Sequence, residues 1–325
     1  MQDTARSNLR GAAFALAAFG LYASHDVLVK LLGASYSTFQ IIFFSVLLSF
    51  PLVMLMLMRD STAGTLLPVH PWWTALRTAA TTVNGVCVFY AFTTLPLAQV
   101  YAIIFTMPLL ITLLSIPILG ERVGRHRWAA VAVGLIGVLV VLRPGAQEMT
   151  LGHAAALLSA CLSSLASIIV RKIGRDERST VLLLYPMMAN FAVMAAIMPW
   201  VYTPMPVEHL GLIGLMAGLA IVGGICMIQA YKDGDAAIVA PMQYSQMIWA
   251  AIYGALLFAE LPDRTTWIGV GIIIASGIYI VLRESLGGLS VFTPVLRTRS
   301  RPDTGIAPRV SVQRRLNPNN REDPH

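Results

Sequence analysis

Ten runs of apolar residues dominate the chain, each near the roughly 17 to 25 residues that cross a ~30 Å hydrocarbon layer as a helix. They fall near 11–32, 39–58, 75–94, 97–119, 128–143, 152–171, 180–201, 209–231, 235–259 and 266–283. The joints are short and carry breakers such as Gly33, Pro96, Gly124, Gly145, Pro204 and Gly234. A length of 325 residues would suit two soluble domains, but 57% hydrophobic and only 12% charged residues exclude them. Soluble domains carry about 25% charge, so too little polar surface exists here to face water. In lipid each segment must satisfy its own backbone, which selects helices. The fold class expected is an all-α integral membrane protein of ten transmembrane helices.

Basic residues set the expected orientation, because Lys and Arg stay on the cytoplasmic side. With the N-terminus inside, 20 of the 23 Lys and Arg residues lie inside, Arg143 and Arg264 lie outside, and Lys30 sits within the first run. The first run lacks a small-residue cleavage site and reads as a retained helix. The expected location is the cell inner membrane, multi-pass, with both termini cytoplasmic. Residues 1–10 form the cytoplasmic N-terminus. From 285 to 325 the chain turns to Arg, Pro, Asn, Asp and Ser, a composition that reads as a disordered basic tail. After Phe292 the tail has no aromatic residue, which argues against nucleic acid and for topology fixing or contact with anionic lipid.

A weak internal repeat carries more information. Residues 21–33 lie over 162–174 at an offset of 141, pairing Asp26 with Ser167 and Lys30 with Arg171. Leu119-Gly120-Glu121 followed by Trp128 lies over Phe258-Ala259-Glu260 followed by Trp267, at an offset of 139. Each half, 11–145 and 151–284, then holds five spans. Five is odd, so the second half enters the membrane from the opposite side, the inverted-repeat plan of secondary transporters.

These features, with Pro96 in the third-to-fourth hairpin, the Leu-Gly-Glu121 close of span four and the Val-Leu-Arg143-Pro-Gly close of a Gly-rich span five, resemble the EamA branch of the drug/metabolite transporter superfamily. The resemblance covers residues 10–284. It implies cytoplasmic termini and a central cavity lined by spans one, three, four, six, eight and nine. Pro108 of span four has Met247 opposite it, with Pro241 six residues earlier, so a kink in the second half is expected elsewhere.

An ionisable residue within a span is a functional candidate, since its burial is costly. Asp26 and Lys30 are four apart on one helix and can pair. They read either as a self-neutralising structural pair or as a substrate or coupling site. The adjacent His25 reads as a hydrogen-bonded packing residue or a member of that site. In span nine Gln243, Gln246, Trp249 and Tyr253 recur at steps of three, three and four, an arc of roughly 120°. That wall suits a flat, hydrogen-bonding solute or, alternatively, amide and aromatic packing between helices. Asn84, Tyr90, Gln99 and Tyr101 around spans three and four, and Gln229 and Tyr231 at the end of span eight, are further candidates. Glu121 and Glu260 read as structural or gating caps. Gly214 and Gly218 permit close helix approach.

No catalytic, phosphate-loop or metal-binding pattern occurs, and Cys87, Cys161 and Cys226 have no ligand or disulfide spacing. No enzyme activity, cofactor or metal is expected. The expected partners are a small-molecule solute and the lipid bilayer, with a homodimer left open. Transport would be driven by a gradient, by alternating access. Among the family's classes the sequence looks more like the bacterial riboflavin uptake carriers, with amino-acid or related exporters and S-adenosylmethionine carriers as alternatives.

Overall fold

The computed structural model describes residues 2–58, 66–120, 125–143, 148–174, 176–234 and 236–286. Glu121 and nearly all of the Arg-rich tail lie outside the described residues. Regular structure among the described residues is helical throughout: α1 (Gln2–Gly33), α2 (Thr38–Met58), α3 (Pro71–Thr94), α4 (Leu97–Ile104), α5 (Met107–Leu119) and α6 (Arg125–Leu142). The second half follows as α7 (Leu151–Ile173), α8 (Ser179–Val201), α9 (Val207–Asp233), α10 (Ala236–Val239), α11 (Ser245–Phe258) and α12 (Arg264–Leu286).

Helices α4 and α5 are pieces of one rod, and so are α10, a 3-10 turn at Ala240–Tyr244, and α11. The described helices thus make ten rods. Leu9–Gly33, Leu97–Leu119, Leu151–Ile173, Thr180–Val201 and Val207–Asp233 are long and apolar enough to cross a membrane; Thr38–Pro51, Trp128–Leu142 and Arg264–Ile280 are shorter apolar helices. Proline breaks both composite rods, because it donates no N–H and its ring clashes with the preceding turn. Pro108 sits in the first turn of α5, just after the break at Phe105-Thr106, and Pro241 opens the 3-10 turn in the other half. The second break therefore lies near Pro241 rather than at Met247.

Side-chain contacts gather the connections at two ends. At the end marked by Leu95, Tyr36 meets His209, Gln40 holds Thr203, Arg143 pairs with Asp263, and Lys30 donates to the Leu95 carbonyl. There the Arg143 guanidinium, with the Thr266 hydroxyl, holds the Asp263 carboxyl down to about 2. At the end marked by Gly234, Gly11 abuts Gly234, His70 meets Asp176 and Glu177, and Lys172 donates to the Ile118 carbonyl. Helix α1 finishes at Leu95, whereas α7 begins there, with Gly152 against Thr94 and Leu95. The matching rods α1 and α7 run in opposite senses.

Packing follows the same exchange. Helix α1 lies along α9, and its counterpart α7 lies along α3; α2 pairs with α8, and α6 with α12. The offset of 139 runs without a gap through spans three to four and eight to nine, which makes Phe105 and Tyr244 counterparts. Their rings meet edge to face at 5.2 Å, at the seam where the halves join. Gly214 and Gly218 are not at a tight crossing: a Cβ at Gly214 would only touch Leu48, at 3.9 Å, and one at Gly218 would meet open space. The close approach falls instead at Gly223, where a Cβ would lie 2.6 Å from a Tyr22 ring carbon. Leu135, Ile136 and Leu139 of α6 and Leu256 and Leu257 of α11 are exposed, an outward apolar face that suits lipid.

Candidate solute site

Three consecutive residues of α1 project at steps of about 100° and so reach different neighbours. Ser24 faces α11, while His25 and Asp26 face α3 and α4. Asp26 is 2% exposed and His25 is fully buried. The His25 Nδ1 lies 2.7 Å from Asp26 Oδ1, and the Tyr101 hydroxyl donates to Asp26 Oδ2 at 2.5 Å. An ionised carboxylate at this depth is tolerable only when hydrogen-bonded, and both oxygens are engaged. Phe89 stands edge-on to His25, with ring centroids 6.1 Å apart. Tyr101 continues through Phe105 to Tyr244, so the carboxylate connects by ring contacts to the seam between the halves.

Lys30 does not depend on Asp26 for neutralisation. Its Nζ donates to Glu260 Oε1 at 2.6 Å and to the Leu95 carbonyl at 2.7 Å, and it lies 5.1 Å from the centroid of the Phe258 ring. The i, i+4 spacing permits an Asp26–Lys30 pair, but Asp26 is held by His25 and Tyr101, and Lys30 by Glu260 and the Leu95 carbonyl.

The wall on α11 is built on small residues of α1. Trp249 and Tyr253 stack with centroids 6.0 Å apart and an interplanar angle of 25°. The Trp249 ring lies against Gly20, where a Cβ would sit 3.3 Å from Cε2. The Tyr253 hydroxyl donates to Ser24 Oγ at 2.9 Å, because the Ser24 hydroxyl proton is given to the Gly20 carbonyl. Gln246 is 1% exposed, and neither of its amide atoms has a hydrogen-bond partner among the described residues. Such an amide is costly to leave unpaired. Gln243 departs from the expected arc: regular α-helix begins at Ser245, and Gln243 lies in the preceding 3-10 turn.

The remaining candidates separate from this group. Asn84 is buried between α3 and α7, where its Oδ1 accepts from Ser159 at 2.8 Å and Ser163 at 3.0 Å. Tyr90 and Gln99 are half-buried near the α3–α4 hairpin, and no described side-chain contact joins them to Asp26. Gln229 donates to Asp233 within α9. Glu260 stands beside Lys30, while Glu121 lies outside the described residues.

Sequence reasoning missed Gly20, Ser24 and Asn190. Gly20 and Ser24, small residues four apart on span one, match the spacing of Trp249 and Tyr253, and that pairing was the available signal. Asn190 of α8 is fully buried with both amide atoms unpartnered among the described residues, and it stood as a single polar residue without a pattern.

The repeat separates these residues into two classes. His25, Asp26 and Tyr101 have Ala166, Ser167 and Ala240 as counterparts, and Gln246, Trp249 and Tyr253 have Met107, Leu110 and Leu114. At each of these positions the larger polar or ring-bearing side chain stands in one half, opposite Ala, Ser, Met or Leu in the other. Lys30 and Glu260, by contrast, have Arg171 and Glu121, so charge is kept at the ends.

Comparison with known proteins places this geometry. A solved crystal structure aligns with a TM-score of 0.59 at 19% identity, covering 86% of this chain and 99% of that one, and shares the fold. An S-adenosylmethionine uptake transporter of Rickettsia felis is 26% identical over 87% of this chain and 96% of its own length. A riboflavin transporter of Rhizobium johnstonii is 28% identical over 66% of this chain and 72% of its own. A pseudopaline exporter of Pseudomonas aeruginosa is 27% identical over 61% of this chain and 68% of its own. The model of the EamA-like transporter family matches twice, at residues 9–143 and 150–283. Matched over both halves, and carrying an opposed pair of five-rod bundles, the chain belongs to the EamA-like transporter family.

Proposed function

We propose that all ten rods cross the inner membrane with both termini cytoplasmic, and that the protein moves a small metabolite with a flat heteroaromatic ring by alternating access. The Gly234 end then faces the cytoplasm and the Leu95 end faces out. One observation carries the solute class: the stacked Trp249 and Tyr253, with the unpartnered amide of Gln246 on the same helix. Aromatic faces bind flat rings, and a buried amide with both atoms unpaired supplies a donor and an acceptor for a ring edge. Asp26, hydrogen-bonded to His25 and Tyr101, is the coupling residue, since it is a buried carboxylate on α1 that is also tied to α4.

Riboflavin is the leading solute, because a neutral ring system with hydroxyls needs rings and amides rather than additional charge. S-adenosylmethionine is the second reading. It also presents a flat ring, and the relatives that transport it span most of this chain. An amino-acid exporter would need charged groups free for a zwitterion, and Lys30 is held by Glu260.

The test is uptake by a strain that cannot make riboflavin. Cells expressing the protein should accumulate labelled riboflavin, and excess S-adenosylmethionine should not compete. Uptake of labelled S-adenosylmethionine without riboflavin would transfer the assignment to the second reading. Replacing Trp249 by Ala should weaken solute binding by roughly 1–3 kcal/mol, the scale of one stacking ring, while Trp249→Phe should be much milder. Single cysteines at Ser35 and Thr265 should label from outside and those at Gly124 and Ser300 from inside. Labelling of Gly124 and Thr265 from one face would sink the inverted orientation.

A further inference from the structure

We propose that Gly20 and Ser24 of α1 set which rings this transporter accepts, by fixing the plane and depth of the Trp249 indole. This rests on the ring-binding reading above and adds to it a pair of specificity-determining residues on the opposite helix.

Helical side chains lean toward the N-terminal end of their helix, so the Gln246 amide, the Trp249 ring and the Tyr253 ring follow one another along α11. Tyr253 stacks on Trp249 at 25° between planes, and so covers the indole face turned toward the end of α11. The other face looks toward the turn that carries Gln246, whose amide atoms have no partner among the described residues. Trp249 is only half-buried, which leaves ring surface uncovered. A solute ring can therefore stack on one face alone.

Two contacts on α1 hold that arrangement. The indole rests by one edge on the backbone at Gly20, where a Cβ would stand 3.3 Å from Cε2, 3.4 Å from Cζ2 and 3.5 Å from Nε1. A methyl there would push this edge off α1 by a few tenths of an ångström. Ser24, one turn on, accepts from the Tyr253 hydroxyl at 2.9 Å and donates to the Gly20 carbonyl at 3.0 Å. The covering ring and the supporting glycine are tied through a single hydroxyl, and Tyr253 cannot turn off the indole without losing that bond. A surface fixed in advance binds a ring at less cost than one that must first be ordered.

The repeat shows that the helix crossing itself demands none of this. At the offsets of 141 and 139, Gly20 and Ser24 have Cys161 and Leu165 as counterparts, and Trp249 and Tyr253 have Leu110 and Leu114. The equivalent helices α7 and α5 also pack together. A thiol and three leucines serve there. On the α1–α11 side all four residues depart from that apolar set together, as the parts of one site would.

The test uses the full chain in detergent with Trp249 as its single tryptophan, the others replaced by Phe. Without solute, the emission maximum of Trp249 and its quenching by acrylamide report the setting of the ring. Gly20→Ala and Ser24→Ala should each shift both, and Tyr253→Phe, which removes the same hydrogen bond from the other side, should match Ser24→Ala. With riboflavin and with uridine as probes, quenching of Trp249 gives an affinity for a wide and for a narrow ring. The wide ring covers more of the indole, so a displaced plane costs it more. The ratio of riboflavin to uridine affinity should fall by about tenfold in Gly20→Ala, within the range of one lost stacking ring, and by about threefold in Ser24→Ala. If Gly20→Ala misfolds, Ser24→Ala and Tyr253→Phe, which add no atoms, carry the comparison. Equal losses for both probes, or emission that does not move, would overturn the specificity role and leave the ring-binding reading standing. Absence of quenching by either probe in the parent chain would instead bring down that reading, and the specificity role with it.

Discussion

Tyr22 against Gly223 and Ser163 against Asn84 are one contact built twice. Tyr22 and Ser163 are counterparts on the first rods of the two halves, as are Gly223 and Asn84 on the third rods. In one copy a buried ring fills the space left by glycine; in the other an asparagine oxygen accepts two serine hydroxyls. The same helix pair is preserved by a large-to-small apolar fit on one side and by hydrogen bonds on the other. What the symmetry demands is a helix separation, and unrelated chemistry satisfies it. The difference teaches where to look for function, since residues that neither fill the crossing nor keep their counterpart's charge must answer to something else. Asp26, Tyr101, Trp249 and Tyr253 are such residues.

The strongest way to break this comparison is to treat Asp26 and Ser167 alike. Asp26→Asn should lower transport by about tenfold or more, equivalent to roughly 1.4 kcal/mol in the barrier, with insertion unchanged. Ser167→Ala, at the matching site, removes a hydroxyl that donates to the Ser163 carbonyl within α7 and should stay within about twofold, since no charge is lost. Equal losses in labelled-solute uptake would mean that the halves are functionally symmetric and that Asp26 is a packing residue.

A smaller effect separates the two versions of the crossing. Gly223→Ala places a methyl against the Tyr22 ring, which is 2% exposed and cannot swing into solvent. Overpacking of this kind costs about 1–3 kcal/mol. Ser163→Ala, which leaves Asn84 its bond from Ser159, should cost about 0.6 kcal/mol. Thermal unfolding in detergent ranks the two variants. If Ser163→Ala proves the more damaging, the polar crossing is the tighter one and the account above is reversed.

Much of the architecture was legible because lipid leaves few choices. Apolar runs of spanning length must be helices, and an odd count per repeat must invert the second half. The contacts at the Leu95 and Gly234 ends are what those two statements require. Partnership was less legible. The spacing of Asp26 and Lys30 suggests a bond between them, yet a helix spacing only says which groups can meet, while tertiary neighbours decide which do. Glu260 lies 230 residues from Lys30 in sequence, and no local pattern announces that contact. The arc from Gln243 to Tyr253 was drawn on an unbroken helix, and the 3-10 turn around Pro241 removes Gln243 from it. Trp249 and Tyr253 were legible as a face, but their support by Gly20 and Ser24 required the other helix.

The finest test compares two turns. Gly120 and Ala259 are counterparts that end α5 and α11, and both are left-handed, with φ of 71° and 54°. A left-handed conformation costs an L-residue about 1–2 kcal/mol more than glycine. Glycine in turn gives up some of that through the freedom it has when unfolded, worth about 0.4–1 kcal/mol. A Cβ at Gly120 would meet open space, and Ala259 is exposed, so neither methyl is held by packing and the backbone term stands alone. Ala259→Gly should therefore stabilise the protein by roughly 0.5 kcal/mol, and Gly120→Ala should destabilise it by a similar amount. In detergent this is a shift of about a degree or two in the unfolding midpoint, in opposite directions, for a chain of this size. Ala259 immediately precedes Glu260, whose backbone N–H donates to the Gly254 carbonyl and whose carboxylate accepts from Lys30. Should Ala259→Gly instead destabilise, the strained alanine is there to aim Glu260, and the two turns differ in purpose as well as in residue.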